Sequence, residues 1–91
     1  MGQVKFTASF SGGFGNLDIS FDDIIGELHL DPDNTSGAVT LPVGDDNYTV
    51  SGDSIGGVDL EIAGDILSPP ITQHFPPGLI RVQAFSVAVI N

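Results

Sequence analysis

The segment from Ser36 to Gly57 constrains the fold of this chain more than any other. Its sequence, SGAVTLPVGDDNYTVSGDSIGG, contains two short runs in which apolar and polar residues alternate, with Gly-Asp-Asp-Asn between them. Successive side chains of a β-strand point to opposite faces, so each run predicts a strand with one apolar face. Glycine, aspartate and asparagine favour the backbone conformations of turns. The segment therefore predicts a β-hairpin with Leu41 and Tyr48 directed into the core.

The same alternation recurs along the rest of the chain. The residues from Val58 to Ile62 predict a third strand after the hairpin, and so an antiparallel meander. Further strands are predicted at Val4–Phe10, Leu17–Phe21, Ile24–Leu30 and Leu79–Ile90. About seven strands in 91 residues predict one all-β domain, residues 1–91, folded as an antiparallel two-sheet β-sandwich. A small barrel is the alternative architecture.

Two proline pairs enclose the sequence ITQHF near the C-terminus. Pro69-Pro70 and Pro76-Pro77 predict a stiff, extended loop across residues 68–78. Within it, His74 and Phe75 are candidates for contact with a ligand, because binding residues often lie on loops. The alternative is that His74 is an ordinary loop histidine.

The charge balance excludes several classes of partner. Twelve acidic residues face two basic ones, Lys5 and Arg81, which gives a formal net charge of −10. Binding of nucleic acid needs clustered Lys and Arg, and anionic membranes repel such a chain. No apolar run approaches the length of a membrane span, so membrane insertion is not expected. The acids predict either a solvated surface or a cation site. The chain has no cysteine, which excludes disulfides and thiolate metal sites.

The loop that begins at Asp31 is the candidate metal site. Asp31, Asp33 and Thr35 occupy alternate positions, as the oxygen ligands of a calcium loop do. The loop lacks the glycine position and the terminal glutamate of an EF-hand. The sequence therefore allows a calcium ion as the one expected cofactor, and a hydrogen-bonded Asx turn as the alternative. His29, with Glu27 and Asp31 on the same predicted strand face, is a second trio with metal-binding side chains. Its alternative is an exposed polar face.

The last predicted strand has two apolar faces. Phe85, Val87 and Val89 form a stripe on the face opposite to the one expected to line the core. A strand with one covered face normally stays polar on the other, so something is expected to cover this stripe. The stripe predicts an interface for self-association or for a protein partner. A bulge at Phe85 and coverage by the loop at 71–75 are the alternatives.

The residues from Asp31 to Val50 resemble a segment of prealbumin-like domains. The sequence DPDNTSGAVTLPVGDDNYTV is similar to the D-x-D-G…LP-x-G-x-Y-x-V segment of these domains, with the match at Leu41, Pro42, Gly44 and Tyr48. The family includes Cna-B-type repeats and carboxypeptidase-regulatory-like domains of bacterial surface and secreted proteins. The resemblance implies a prealbumin-like or immunoglobulin-like sandwich with a spacer, adhesive or accessory role. An extracellular or cell-surface location is expected if the chain is a domain of a larger exported protein, and a cytosolic location is the alternative.

No catalytic pattern is present in the sequence. The chain has neither a G-x-S-x-G nor an H-E-x-x-H motif, and its glycine-rich turn precedes a strand rather than a helix. We therefore expect a non-enzymatic module that acts in binding, adhesion or spacing within a larger or self-associating assembly. The alternative is a calcium-assisted module that binds carbohydrate or another ligand. The absence of tryptophan and the single tyrosine disfavour a carbohydrate-stacking face.

Overall fold

The computed structural model describes the whole chain, Met1–Asn91, and is built almost entirely from β-strands. The strands are β1 (Gly2–Phe10), β2 (Gly15–Phe21), β3 (Glu27–Leu30), β4 (Ser36–Leu41), β5 (Gly44–Ser54), β6 (Val58–Gly64), β7 (Ile71–Phe75) and β8 (Gly78–Val89). A single turn of 3₁₀ helix, Ser11–Gly13, joins β1 to β2.

The strands form two antiparallel sheets of four strands each. The first sheet has the order β4-β1-β6-β7, and the second has the order β3-β2-β5-β8. Neither sheet is closed into a barrel, so the predicted two-sheet β-sandwich is confirmed, with eight strands rather than about seven.

Apolar side chains at alternate positions fill the space between the sheets. Eighteen buried hydrophobic residues form one continuous core. At its centre the ring of Tyr48 lies 5.5 Å from that of Phe6 and 5.6 Å from that of Phe85, measured between centroids. Phe21 adds a fourth ring, 5.5 Å from Phe6. Leu41 and Tyr48 are both fully buried, which confirms their predicted place in the core.

The predicted hairpin between β4 and β5 is wrong, and so is the meander that extends it. β4 pairs with β1 in the first sheet, whereas β5 pairs with β2 and β8 in the second. The short link Pro42–Val43 crosses from one sheet to the other. Alternation shows which face of each strand is apolar, but two successive strands can direct those faces inward from opposite sheets just as well as from the same sheet.

The predicted proline loop is also wrong, because its centre is a strand. β7 pairs with β6 from Ile62↔Ile71 to Val58↔Phe75. The proline pairs lie just outside it and limit its length, since proline lacks the N–H that a ladder needs. Phe75 is buried in the core and His74 points to solvent. They therefore do not form a ligand-contacting loop.

The predicted interface on β8 is wrong as well. Val87 and Val89 are buried, and Phe85 is partly buried against the core, where its ring stacks on Tyr48 and meets Phe75 edge-on. This stripe is covered by the first sheet of the same molecule and not by a partner.

An extra residue in β8 explains why the stripe turns inward. Val50 of β5 is opposite Gln83, whereas Gly52 is opposite Ile80, so two steps along β5 match three along β8. The additional residue forms a bulge at Arg81–Val82, which shifts the alternation by one position. Ile80 therefore faces the core before the bulge and Phe85 faces it afterwards. A bulge was one of the three predicted explanations for the apolar stripe. The structure has a bulge, but at Arg81–Val82 and not at Phe85.

Candidate functional sites

Asp31 stabilises the turn between β3 and β4. Its Oδ1 atom accepts hydrogen bonds from the backbone N–H groups of Asp33, at 2.9 Å, and of Asn34, at 2.8 Å. Asp31 and Asn34 also pair through their backbones as an isolated β-bridge. This is the geometry of an Asx turn, in which the carboxylate replaces a backbone acceptor. Asp33 and Thr35 are exposed, and Thr35 contributes its backbone oxygen to the N–H of Ala8.

The Asp31 loop is not joined by acids from elsewhere in the chain. No group of three or more His, Asp or Glu side chains converges closely enough to hold a metal ion. Calcium binding at Asp31, Asp33 and Thr35 stays a prediction of the sequence. The structure gives Asp31 a backbone-capping role instead.

We expect the melting temperature to be the same in millimolar calcium and in excess chelator, because one Asp31 oxygen is already engaged by two amides. Differential scanning calorimetry of the wild type in both buffers measures this. A calcium-dependent rise that disappears in Asp33→Asn, but persists in Asp53→Asn on β5, would contradict this expectation and support a calcium site in the Asp31 loop.

His29 forms a cross-strand pair with an aspartate. Its Nδ1 atom lies 2.6 Å from Oδ1 of Asp18, the residue directly opposite on β2. The hydrogen bond to Asp18 raises the pKa of His29 above its usual 6.5, with smaller contributions from the charges of Asp18, Asp31 and Glu27. Of the predicted trio, Asp31 lies 3.5 Å from His29 Nε2, but Glu27 bonds to Ser20. The arrangement is an exposed ion pair, as in the polar-face alternative.

His74 repeats this arrangement on the other sheet. Its Nδ1 atom lies 2.5 Å from Oδ1 of Asp59, which is directly opposite on β6. Both histidines therefore lie on edge strands, face solvent, and contact an aspartate on the neighbouring inner strand. Exposed pairs of this kind contribute little to stability.

Asp46 is an unusual residue that our sequence reasoning missed. It is only 3% exposed, and its Oδ2 atom is buried without a hydrogen-bond partner. Its burial, and then the neighbouring carboxyl of Asp23, raise the pKa of Asp46 from 3.8 to about 6. The sequence indicates this burial, because Asp46 lies two and four residues before Tyr48 and Val50, and alternate residues of a strand face the same side.

The free edge of the second sheet lies along β8. Beyond residue 87 this edge is occupied, because Leu67 N–H donates to Ala88 O at 2.9 Å and Ile90 N–H donates to Asp65 O at 3.0 Å. The N–H and C=O groups of successive residues in a strand point to opposite edges. Ala84 and Ser86 lie four and two residues before Ala88, so their N–H and C=O groups point away from β5, as those of Ala88 do. No strand lies beside them.

β8 has exposed apolar side chains and no acid of its own, although Asp53 is opposite Leu79, Asp45 is opposite Ala88, and the carbonyl of Asp65 accepts from Ile90. Val82 is 71% exposed and Leu79 is 77% exposed. All twelve acids lie between Asp18 and Asp65, so residues 66–91 contain none.

The structure has no cleft or cavity that would enclose a small molecule. It also contains no helix with the length and apolar character needed to cross a lipid bilayer. Comparisons with protein-family models, with curated proteins and with solved structures give no match to this chain.

Proposed function

We propose that this protein is a non-catalytic β-sandwich module that assembles with another protein chain by adding a strand to the open edge of β8. The observation that carries the proposal is the outward direction of the N–H and C=O groups of Ala84 and Ser86, with no strand beside them. Unpaired groups on an edge strand are a template for pairing with a second chain.

The other three edge strands are less suited to such pairing. β3 has only four residues, and β7 has five and is enclosed by proline pairs. At β4, the Leu28 side chain of β3 packs against Gly37, so that a Cβ there would lie 2.9 Å from it. β8 has twelve residues with neither proline nor lysine, and its open part lies between the bulge at Arg81–Val82 and the end that residues 65–67 cover.

A second copy of this chain is the partner that we propose. The free groups of Ala84 and Ser86 are arranged symmetrically about Phe85, so two antiparallel copies of β8 would each donate and accept two hydrogen bonds. Two molecules with a net charge of −10 repel each other, and the repulsion is weakest where no acids lie at the surface. The residues from Val82 to Ser86 carry no acid, and Val82 adds an exposed apolar side chain to this part of the edge.

Sedimentation velocity at concentrations up to the millimolar range tests this proposal. We expect the wild type to associate reversibly, and to associate more strongly as added salt screens the repulsion between the copies. The variant Ala84→Asp should weaken association several-fold, because it places like charges near each other across the shared two-fold axis.

Ala38→Asp is the matched control. Ala38 is also an exposed alanine on an edge strand, β4, and the substitution adds the same charge. We expect it to leave association close to that of the wild type. A wild type that stays monomeric at high salt, or equal weakening by both variants, would contradict the proposal.

A further inference from the structure

Asp46 lies inside the end of the sandwich where the turn after β2 meets the start of β5. Phe21 is opposite Tyr48, and the N–H of Asp22 donates to the carbonyl of Asn47 at 3.1 Å. The ladder ends there, and the turn that follows brings the carboxyl of Asp23 to that of Asp46. We call Asp22, Asp23, Asp45 and Asp46 the acidic end of the molecule.

No basic group compensates the charge of Asp46. The residues whose charges act on it are Asp23, from the turn after β2, and Asp45, its neighbour on β5. Its partner across the ladder to β8 is Val87, which is apolar and buried. A buried carboxylate without a hydrogen-bond partner or a counter-charge is costly, and protonation removes this cost.

We propose that Asp46 and Asp23 share one proton in the folded protein, and that loss of this proton loosens the acidic end of the sandwich. In the protonated pair, one carboxyl donates to the other, and the buried Oδ2 of Asp46 gains a partner. In the ionised pair, two like charges are held side by side at the end of the core. The turn at residues 23–26 is the part that can move away, because it follows the last hydrogen bond to β5, from the N–H of Asp22 to the carbonyl of Asn47.

The direction of the effect on stability follows from the pKa of Asp46. The pKa is about 6 in the folded protein and 3.8 without the protein environment, so the folded state binds the proton about a hundredfold more tightly. The stabilisation of the folded state by the protonated Asp46 is fully present below pH 3.8, and it is lost as the pH rises to about 6.

Titration of the side-chain carboxyl carbons by NMR tests the shared proton directly in the wild type. We expect Asp46 to titrate with an apparent midpoint near 6. Over the same pH range the backbone amide of Asp22, which donates to Asn47 at the start of this turn, should lose protection from hydrogen exchange, after correction for the intrinsic rate. A midpoint near 4 for Asp46 would overturn the proposal.

Two asparagine variants separate this pair from the rest of the acidic end. Asp46→Asn keeps the shape of the side chain but cannot ionise, so its melting temperature should exceed that of the wild type at pH 8 and match it at pH 4. Asp45→Asn removes the same charge from the exposed neighbouring residue and should retain the fall in melting temperature between these pH values. A fall of equal size in all three proteins would contradict the proposal, and the wild-type titration remains decisive if Asp46→Asn fails to fold.

Discussion

Replacement of Tyr48 with alanine is expected to lower the free energy of unfolding by about 3–5 kcal/mol, the range for removal of a buried aromatic side chain. Tyr48 is 1% exposed and its ring contacts those of Phe6, Phe21 and Phe85, which come from three different strands. Its loss would leave a cavity at the point where the two sheets are held together. The surrounding strands are paired on both sides or packed against the core, and so cannot close that cavity without losing other contacts.

The hydroxyl group of Tyr48 is expected to matter much less than its ring. Burial raises the pKa of this hydroxyl to about 12, against an opposing effect of the neighbouring Gln73 side chain, so the group is neutral at physiological pH. Tyr48→Phe is therefore the control, because it keeps the ring and removes only the oxygen. Urea denaturation followed by circular dichroism measures both variants. An unfolding midpoint of Tyr48→Ala equal to that of Tyr48→Phe would show that the ring is not a central part of the core.

Gly52→Ala is the second change for which we expect a large loss of stability, of several kcal/mol. A Cβ atom at this position would lie 2.0 Å from the carbonyl oxygen of Asn16 and 3.1 Å from the Cα of Leu17, both on β2. Neither atom belongs to a flexible side chain, so the clash can be relieved only by separation of β2 from β5. The backbone of Gly52 also has φ +152°, which side-chain-bearing residues rarely adopt, and this alone costs about 1–3 kcal/mol.

Gly44→Ala on the same strand separates the two contributions. Gly44 also has a positive φ, of +118°, but no atom lies within 4 Å of the position that its Cβ would take. Gly44→Ala should therefore lose stability only through its unfavourable backbone conformation, without the clash that Gly52→Ala adds. Thermal and urea denaturation of both variants give the comparison. Equal losses in the two variants would show that β2 and β5 are not as close at Gly52 as the structure has them.

Gly52 also lies where the ladder between β5 and β8 changes register. It is opposite Leu17 on one side and Ile80 on the other, next to the bulge at Arg81–Val82. Glycine at this position lets the inner strand bend toward β2 while β8 accommodates an extra residue. The bulge in turn directs Phe85 onto Tyr48. The packing of the aromatic cluster and the conformation of Gly52 are therefore linked.

The alternation of apolar residues by itself determined the class of this fold and the orientation of most side chains. In β1 and β6 the apolar residues at alternate positions all face the core and are buried, apart from Phe10, which is partly buried. A period of two is a local property, since it depends on backbone geometry within one strand. For the same reason the sequence already indicated that the side chains of Tyr48 and Asp46 point to the same, inward face of β5.

The pairing of the strands was decided only by the tertiary structure. The pattern of β4 and β5 is satisfied equally well by a hairpin and by a crossing between sheets, because both bury the same faces. The strand character of residues 71–75 depends on pairing with β6, which the flanking prolines conceal. One inserted residue at Arg81–Val82 changes which face of β8 is buried, and no local signal marks it, since a bulge exists only relative to a partner strand. The burial of Asp46 beside Asp23 likewise requires β2 and β5 to be neighbours, which is a property of the assembled sheet.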